Sequence, residues 1–409
     1  MVRSCINSRK KKKSSCSLNS LTDDLLIEVL HRLSSGKLIY QCKTVCKRWC
    51  SLLSSPDFLR RTPIPSTVIL NPYADYGQIL LLDSDFGASI SDPAQSFKFL
   101  TSCHDLLLVS PKEGDYRGTC CILNPFTMDF LPLPRMWSSV AVFGFVFEPY
   151  DYCCPPNTRY RFRVVRFPQF GYSTYQSNFE FQLYSSETNE WTNGCEMPMM
   201  LHKEDFAFLR LFSSPISFQG KLYWYGDHRI IAFDPFNFAN TCVIDYPQVE
   251  RLYSLLENPH NYCVLGVHRG SLRVLDLPAP PLPAPWTGFR AGCNISKCIL
   301  SLWELNDHKT GCDQWSLVHQ VFISELVSND YRVVQELTTK SCPDIIPVAL
   351  HPSDGDCVFL WIGGLILSCN MQNREMEVVG ENPGFSNPCI QLEVPWGPAP
   401  RTLLQNPLT

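Results

Sequence analysis

Between Leu21 and Leu59 the apolar positions recur at steps of three and four. Leu25, Leu26, Val29, Leu30 and Leu33 fall on one side of a helix written over Asp23–Leu33. Asp23 and Asp24 open that helix and His31 and Arg32 close it, so the charges complement its dipole. Ser34-Ser35-Gly36 is expected to end it, because glycine accepts left-handed dihedrals. A second stripe then runs Leu38, Cys42, Val45, Trp49, Leu52 and Leu53. Three short helices in about forty residues cannot bury all of this among themselves. The stripes are therefore read as made for a partner as well as for each other.

From Ser66 the period changes. Short β-rich runs alternate with polar turns, beginning with Thr67–Leu70 and Ile79–Leu82. One unit then recurs: a strand, a polar turn, and a second strand carrying a bulky residue. Cys120–Leu123 leads through Asn124-Pro125-Phe126-Thr127 to Phe130, and Phe181–Tyr184 leads through a polar turn to Trp191. Ile230–Phe233 leads to Cys242–Ile244, Ile299–Leu305 to Trp315–Val318, and Leu365–Cys369 to Met376–Val379. A further hairpin turns at Gln219-Gly220. Five such hairpins at intervals of roughly 50 to 70 residues predict a repeated all-β unit arranged as a propeller. About six irregular blades are expected, the strands before Phe97 supplying a sixth or ring-closing one, with Trp191, Trp224 and Trp315 largely buried.

Composition narrows the function. The formal net charge of -4 points to neither nucleic acid nor membrane, and no run approaches the roughly twenty apolar residues of a bilayer span. Twenty cysteines are scattered through apolar stretches, and Met1–Asn19 has no apolar segment of the kind that directs secretion. The cysteines are thus read as reduced thiols acting as small hydrophobes. Residues 1–20, with the run Arg9-Lys10-Lys11-Lys12-Lys13, read as a disordered basic tail, either merely solvated or serving as a nuclear address or an anion-binding tail.

Leu21-Thr22-Asp23-Asp24-Leu25-Leu26 followed by Val45-Cys46-Lys47-Arg48-Trp49 resembles an F-box. Thr22 and Ser34 stand where that family usually has Pro; Thr can cap a helix in its place. The later part is similar to the kelch-like F-box-associated domain of plant F-box proteins. The pieces that carry this are Leu106–Leu108, Asn124-Pro125, Gly144-Phe145-Val146-Phe147, Trp191, Gly220-Lys221-Leu222-Tyr223-Trp224, Phe233-Asp234 and Trp315-Ser316-Leu317. The expected layout is a tail over 1–20, an F-box over 21–61, a propeller over 66–380 and a Pro-rich tail over 381–409. The resemblance implies the substrate receptor of a Skp-cullin-F-box ubiquitin ligase, in the nucleus or cytoplasm. Its F-box would bind a Skp-family adaptor, and through it a cullin scaffold, and its propeller an unidentified substrate protein. Leu21, Leu25, Leu26, Val29, Leu30, Val45 and Trp49 are the expected adaptor-binding residues, some of which must instead hold the helices together.

No catalytic constellation emerges: there is no Gly-rich phosphate loop, nucleophile elbow or His-Glu-x-x-His. Cys42, Cys46 and Cys50 share a helix face but sit among Leu38, Val45 and Trp49, which favours packing over metal binding. No cofactor is expected. His351 near Asp354 and Asp356 is assigned to a turn, and Pro278–Pro285 to an exposed insertion rather than a polyproline ligand. Two other classes stay open: a carbohydrate-binding or enzymatic propeller with a helical cap, and an F-box scaffold that delivers no substrate. Because residues 1–20 hold almost nothing apolar, deleting them is expected to leave the melting curve of the purified protein unchanged; a large fall in melting temperature would contradict this reading.

Overall fold

A computed structural model of the chain describes residues 18, 21–33, 36–43, 45–53, 55, 58, 67–70, 79–81, 97–103, 106–111, 119–124, 130–135, 141–148, 161–168, 180–196, 215–225, 229–247, 262–268, 270–277, 298–306, 315–339, 345–351, 354–381 and 390–393. The basic run at 9–13 and the Pro-rich loop lie outside them. The chain divides into two compact units, Met1–Ile64 with Trp396–Pro398 and Pro65–Pro395 with Ala399–Thr409.

The first unit holds helices α1 (Asp23–His31), α2 (Gly36–Lys43) and α3 (Lys47–Leu53). Gly36 opens α2 rather than serving only to stop α1. The second stripe is also not continuous. The chain leaves α2 at Lys43, turns at Val45 and re-enters helix at Lys47, which resets the helical phase. Ile39, Trp49 and Leu53 consequently face inward with Leu26, Leu30 and Phe58, forming the small core of this unit. The His31 ring stacks on Phe58 with centroids 4.3 Å apart.

The second unit is built of strands. The first two are β1 (Thr67–Leu70) and β2 (Ile79–Leu81). Four follow as β3 (Phe97–Cys103), β4 (Leu106–Pro111), β5 (Cys121–Leu123) and β6 (Phe130–Pro132). The next four are β7 (Ala141–Phe147), β8 (Phe162–Pro168), β9 (Glu180–Ser185) and β10 (Glu190–Glu196). Then come β11 (Ile216–Phe218), β12 (Lys221–Tyr225), β13 (Arg229–Phe233) and β14 (Cys242–Asp245). After these lie β15 (Tyr262–His268), β16 (Ser271–Leu277), β17 (Ile299–Leu305) and β18 (Trp315–Phe322). The last group is β19 (Val327–Ser328), helix α4 (Tyr331–Thr339), β20 (Ile345–Leu350), β21 (Cys357–Ile362), β22 (Leu365–Asn370), β23 (Glu375–Glu381) and β24 (Ile390–Glu393).

Each group of four forms one antiparallel meander, β3 to β6, β7 to β10, β11 to β14 and β15 to β18. The fifth sheet is β20 to β23, with β19 added in parallel along β23. Each of the five recurring hairpins is the third-to-fourth-strand turn of one such sheet, so the sequence repeat counts the sheets directly. The expected sixth blade is smaller than expected: β1 pairs with β2 on one side and β24 on the other, a sheet of three strands. The fold is thus a β-propeller of five full blades with a three-stranded closing sheet. Within the segment after 380, read as a Pro-rich tail in which Ile390–Val394 could add a strand, β24 (Ile390–Glu393) is that strand and completes the sheet.

The first strands of successive blades touch, β3 with β7, β7 with β11, β11 with β15 and β15 with β20. The closing sheet joins the two ends, β24 lying against β3 and β2 against β23. Apolar clusters fill the spaces between neighbours. Leu108, Ile122, Phe145 and Val164 meet between the first two blades, and Val165, Phe181, Trp224 and Phe233 between the second and third. Strands β12, β13, β16 and β20 alternate little because both of their faces are covered, whereas β3 alternates and the outer strands β18 and β23 keep exposed positions. Glycine is needed where two blades come closest. A Cβ on Gly144 would stand 2.4 Å from Leu222 Cδ1, and one on Gly266 2.6 Å from Leu350 Cδ1.

Trp224 is fully buried, as expected, but Trp191 and Trp315 are only half-buried. Both lie on fourth strands, where one edge is open. Each indole reaches back to the blade before it. Trp191 Nε1 donates to Pro134 O at 2.9 Å, and Trp315 Nε1 donates to Asp245 O at 2.7 Å. The turns use the expected chemistry. Gln219 and Gly220 both take positive φ, 47° and 76°, as a two-residue hairpin requires. The Asp234 carboxylate accepts the amides of Phe236 and Asn237, each at 2.9 Å. Replacing Gly144 with Ala is expected to destabilise the propeller by about 1–3 kcal/mol through overpacking against Leu222. A thermal melt checks this, an unchanged midpoint being the contrary result.

Candidate functional site

In α1, Leu26 and Leu30 lie one turn apart and form one column along the helix; Leu25 and Val29 form a second column rotated by about 100°. The fold separates the two. Leu26 and Leu30 are 0% and 2% exposed in the core, whereas Leu25 and Val29 are 55% and 41% exposed. Trp49 is 8% exposed and packs inward, and Leu21 packs against the same core while half-buried. Val45, at the elbow between α2 and α3, is 59% exposed. Of the seven expected contact residues, three are therefore open to a partner, three stand in the core, and Leu21 is intermediate. Leu26, Leu30 and Trp49 hold the helices together, because a partner could reach them only by opening that core.

Two further apolar side chains are exposed among the described residues of this unit, Leu18 and Leu38. Leu38 was visible in the stripe. Leu18 falls within the segment read as tail, yet the Leu21 amide donates back to Leu18 O at 3.3 Å, giving it a place in the turn before α1. Leu18, Leu25, Val29, Leu38 and Val45 are thus the exposed large apolar residues among the described residues of this unit. Polar contacts fix the start of α1. Thr22 makes no side-chain cap, but Arg48 from α3 donates through Nε to Asp23 Oδ1 at 2.8 Å and through Nη2 to Leu21 O at 2.6 Å. Nothing in the sequence period marks Arg48 for this role.

A second cluster of titratable groups lies between the fourth and fifth blades. Arg273 bonds Glu304 at 2.5 Å and Gly355 O at 2.8 Å, and His319 Nε2 meets Asp356 Oδ1 at 2.7 Å. The Asp354 amide donates to His351 Nδ1 at 3.0 Å, so that nitrogen carries no proton. Burial lowers the His351 pKa, with the nearby Asp354 partly offsetting it. Burial also opposes ionisation of Asp354. The Asp356 amide, the Cys357 thiol and the imidazoles of His351 and His268 outweigh it, so its pKa lies below the usual value. These groups serve the turn and the joint between blades, as the sequence reading of His351 proposed. No group of three or more His, Cys, Asp or Glu among the described residues is placed to hold a metal ion. The twelve described cysteines carry free thiols, and burial holds those of Cys120, Cys357 and Cys369 up at about 12.

The F-box domain family matches residues 18–61, and the family described as "F-box protein At3g26010-like, beta-propeller" matches residues 289–394. Among curated relatives, F-box protein At3g28330 of Arabidopsis thaliana is 26% identical over 206 residues, 49% of this chain and 43% of its own length. F-box protein At3g26010 of the same plant is 23% identical over 391 residues, covering 88% of this chain and 79% of its own length. Among solved structures, an oligogalacturonate lyase in complex with manganese aligns over 77% of this chain and 74% of its own, with 9% identity and a TM-score of 0.36. That score is too low to bear on function.

Two outcomes follow from this geometry. Leu26→Ala is expected to cost the helical unit about 2–5 kcal/mol, whereas Leu25→Ala changes its stability little. Hydrogen exchange across α1 separates the two variants, and equal exchange rates would contradict the assignment of columns. The fold also favours neutral His351, so its contribution is present above the ordinary imidazole value near 6.5 and is lost as pH falls through it. The propeller should melt earlier at about pH 5.5 than at about pH 7.5, and His351→Gln should flatten that dependence. An unchanged slope in the variant would contradict the role given to His351.

Proposed function

We propose that this chain, an F-box protein carrying a β-propeller, acts as the substrate-recognition subunit of a Skp-cullin-F-box ubiquitin ligase. The observation that carries the proposal is the division within α1. Leu25 and Val29 remain exposed while their neighbours Leu26 and Leu30 fill the core, and Val45 is exposed at the next elbow. In this reading Leu25, Val29 and Val45 enter an apolar surface of a Skp-family adaptor, which is in turn held by a cullin scaffold. The match of the F-box family to residues 18–61 supports that choice of partner.

The propeller is the arm that would hold the substrate protein. The receptor itself performs no bond chemistry in this account; it raises the concentration of substrate near the conjugating enzyme. The division into two units supports such a split of tasks. The basic run at 9–13 fits a nuclear as well as a cytoplasmic location. The F-box scaffold that delivers no substrate shares the adaptor contact and differs only in the fate of what the propeller binds.

Burial of one Leu side chain contributes about 1.5–3 kcal/mol, so Leu25→Ser should weaken adaptor binding by about ten- to a hundred-fold. Val29→Ser and Val45→Ser should weaken it less, because each buries less apolar area. Calorimetric titration of the full chain with purified adaptor measures the loss, and a thermal melt of each variant controls for folding. Wild-type affinity in all three variants would overturn the assigned surface.

A further inference from the structure

The exposed residues assigned to the adaptor come from two separate stretches, Leu25 and Val29 from α1 and Val45 from the elbow before α3. Something must set their spacing. The first turn of α1 lacks the usual local device, since Thr22, its N-cap residue, makes no side-chain hydrogen bond to the helix. The Leu26 amide reaches Thr22 O at 2.9 Å, and that is backbone only. What reaches the start of α1 is a donor from the other stretch, bonding acceptors rather than the helix's own amides. Arg48, in the first turn of α3 and three residues beyond Val45, spends its guanidinium on the start of α1. Nε and Nη2 lie 2.8 and 2.7 Å from Asp23 Oδ1, and Nη2 lies 2.6 Å from Leu21 O.

We propose that Arg48 is a positioning residue of the adaptor-binding surface, holding the first turn of α1 against the first turn of α3 so that Leu25, Val29 and Val45 are presented together. The inference rests on the reading of that surface given above. The planar fork is what the geometry uses, one group reaching a carboxylate and a carbonyl at once. A lysine ammonium, a single point charge on a flexible stem, cannot hold both in the same way. The pair is partly solvent-exposed, the two side chains retaining 36% and 61% of their accessible surface. Such a pair adds little to overall stability. Its loss should therefore appear in the organisation of the surface, as a loss of preorganisation, rather than in whether the helices fold.

The test is a double-mutant cycle on the full chain, with purified Skp-family adaptor as the probe. Arg48→Ala should weaken binding by about five- to tenfold and Asp23→Ala by less, since the Nη2 bond to Leu21 O survives it, and the double variant should lose little more than Arg48→Ala alone, because the Asp23 contact exists only through Arg48. Arg48→Lys should recover only part of the loss. Melting of the variants should stay near wild type, while amide exchange in the first turn of α1 should quicken in each. If Arg48→Ala loses binding while amide exchange in the first turn of α1 stays as in wild type, Arg48 touches the partner directly and the positioning role is wrong. If Leu25→Ser weakens binding as expected but neither Arg48→Ala nor Asp23→Ala alters it, the tie is irrelevant to the surface and the inference falls alone. If wild type does not bind the adaptor, or Leu25→Ser, Val29→Ser and Val45→Ser all bind as wild type, the functional reading fails and this inference goes with it.

Discussion

A sheet that is apolar on both faces needs two neighbours, and the rest of the propeller follows from that requirement. Leu275 and Leu302 of the fourth blade are buried on its side toward the fifth, while Val274 and Leu272 are buried on its side toward the third. No pair of such sheets can satisfy itself, because each would leave two outer faces in water. Successive blades solve this for one another, and the two ends of the series are closed by β1, β2 and β24. Side-chain size is then constrained wherever the blades converge. That is why Gly144 lies under Leu222 and Gly266 under Leu350.

The same constraint is left unmet in the helical unit. Among the described residues six apolar side chains fill its core, and Leu25, Val29 and Val45 remain outside it. A unit of three short helices has too little interior for all of its apolar residues. Its surplus differs in kind from scattered surface leucines: two of the residues form one column on α1, and Arg48 ties that helix to the stretch bearing the third. The polar cluster between the fourth and fifth blades shows the contrasting case. Its groups are engaged with one another or with backbone, as Arg273 is with Glu304 and Gly355, which suits a joint better than an open site.

Much of this was legible in the chain. The hairpin repeat reported the number of full blades, because each turn between third and fourth strands keeps its own polar signature, as Asp234 and Asn370 do by accepting nearby amides. The size of the sixth sheet was not legible: β1 and β24 are more than three hundred residues apart, and pairing over that distance leaves no local pattern. The half-exposure of Trp191 and Trp315 was missed for a related reason. An indole signals bulk, but the carbonyl it finds belongs to the preceding blade. In the helical unit, periodicity showed an apolar face wider than one helix neighbour can cover. It did not show which column turned inward, since Leu25 and Leu26 are equivalent until the helices pack. Arg48 was invisible because its partners lie 25 and 27 residues away, at no helical spacing.

The central claim is that the outward column of α1 and the Val45 elbow form the surface that a Skp-family adaptor covers. Hydrogen exchange of the full chain with and without purified adaptor tests it most directly. Protection should rise in α1 and across the α2–α3 elbow on binding, with the strands of the propeller unchanged. Protection that appeared in the propeller strands, with α1 and the elbow exchanging as in the free chain, would contradict the account.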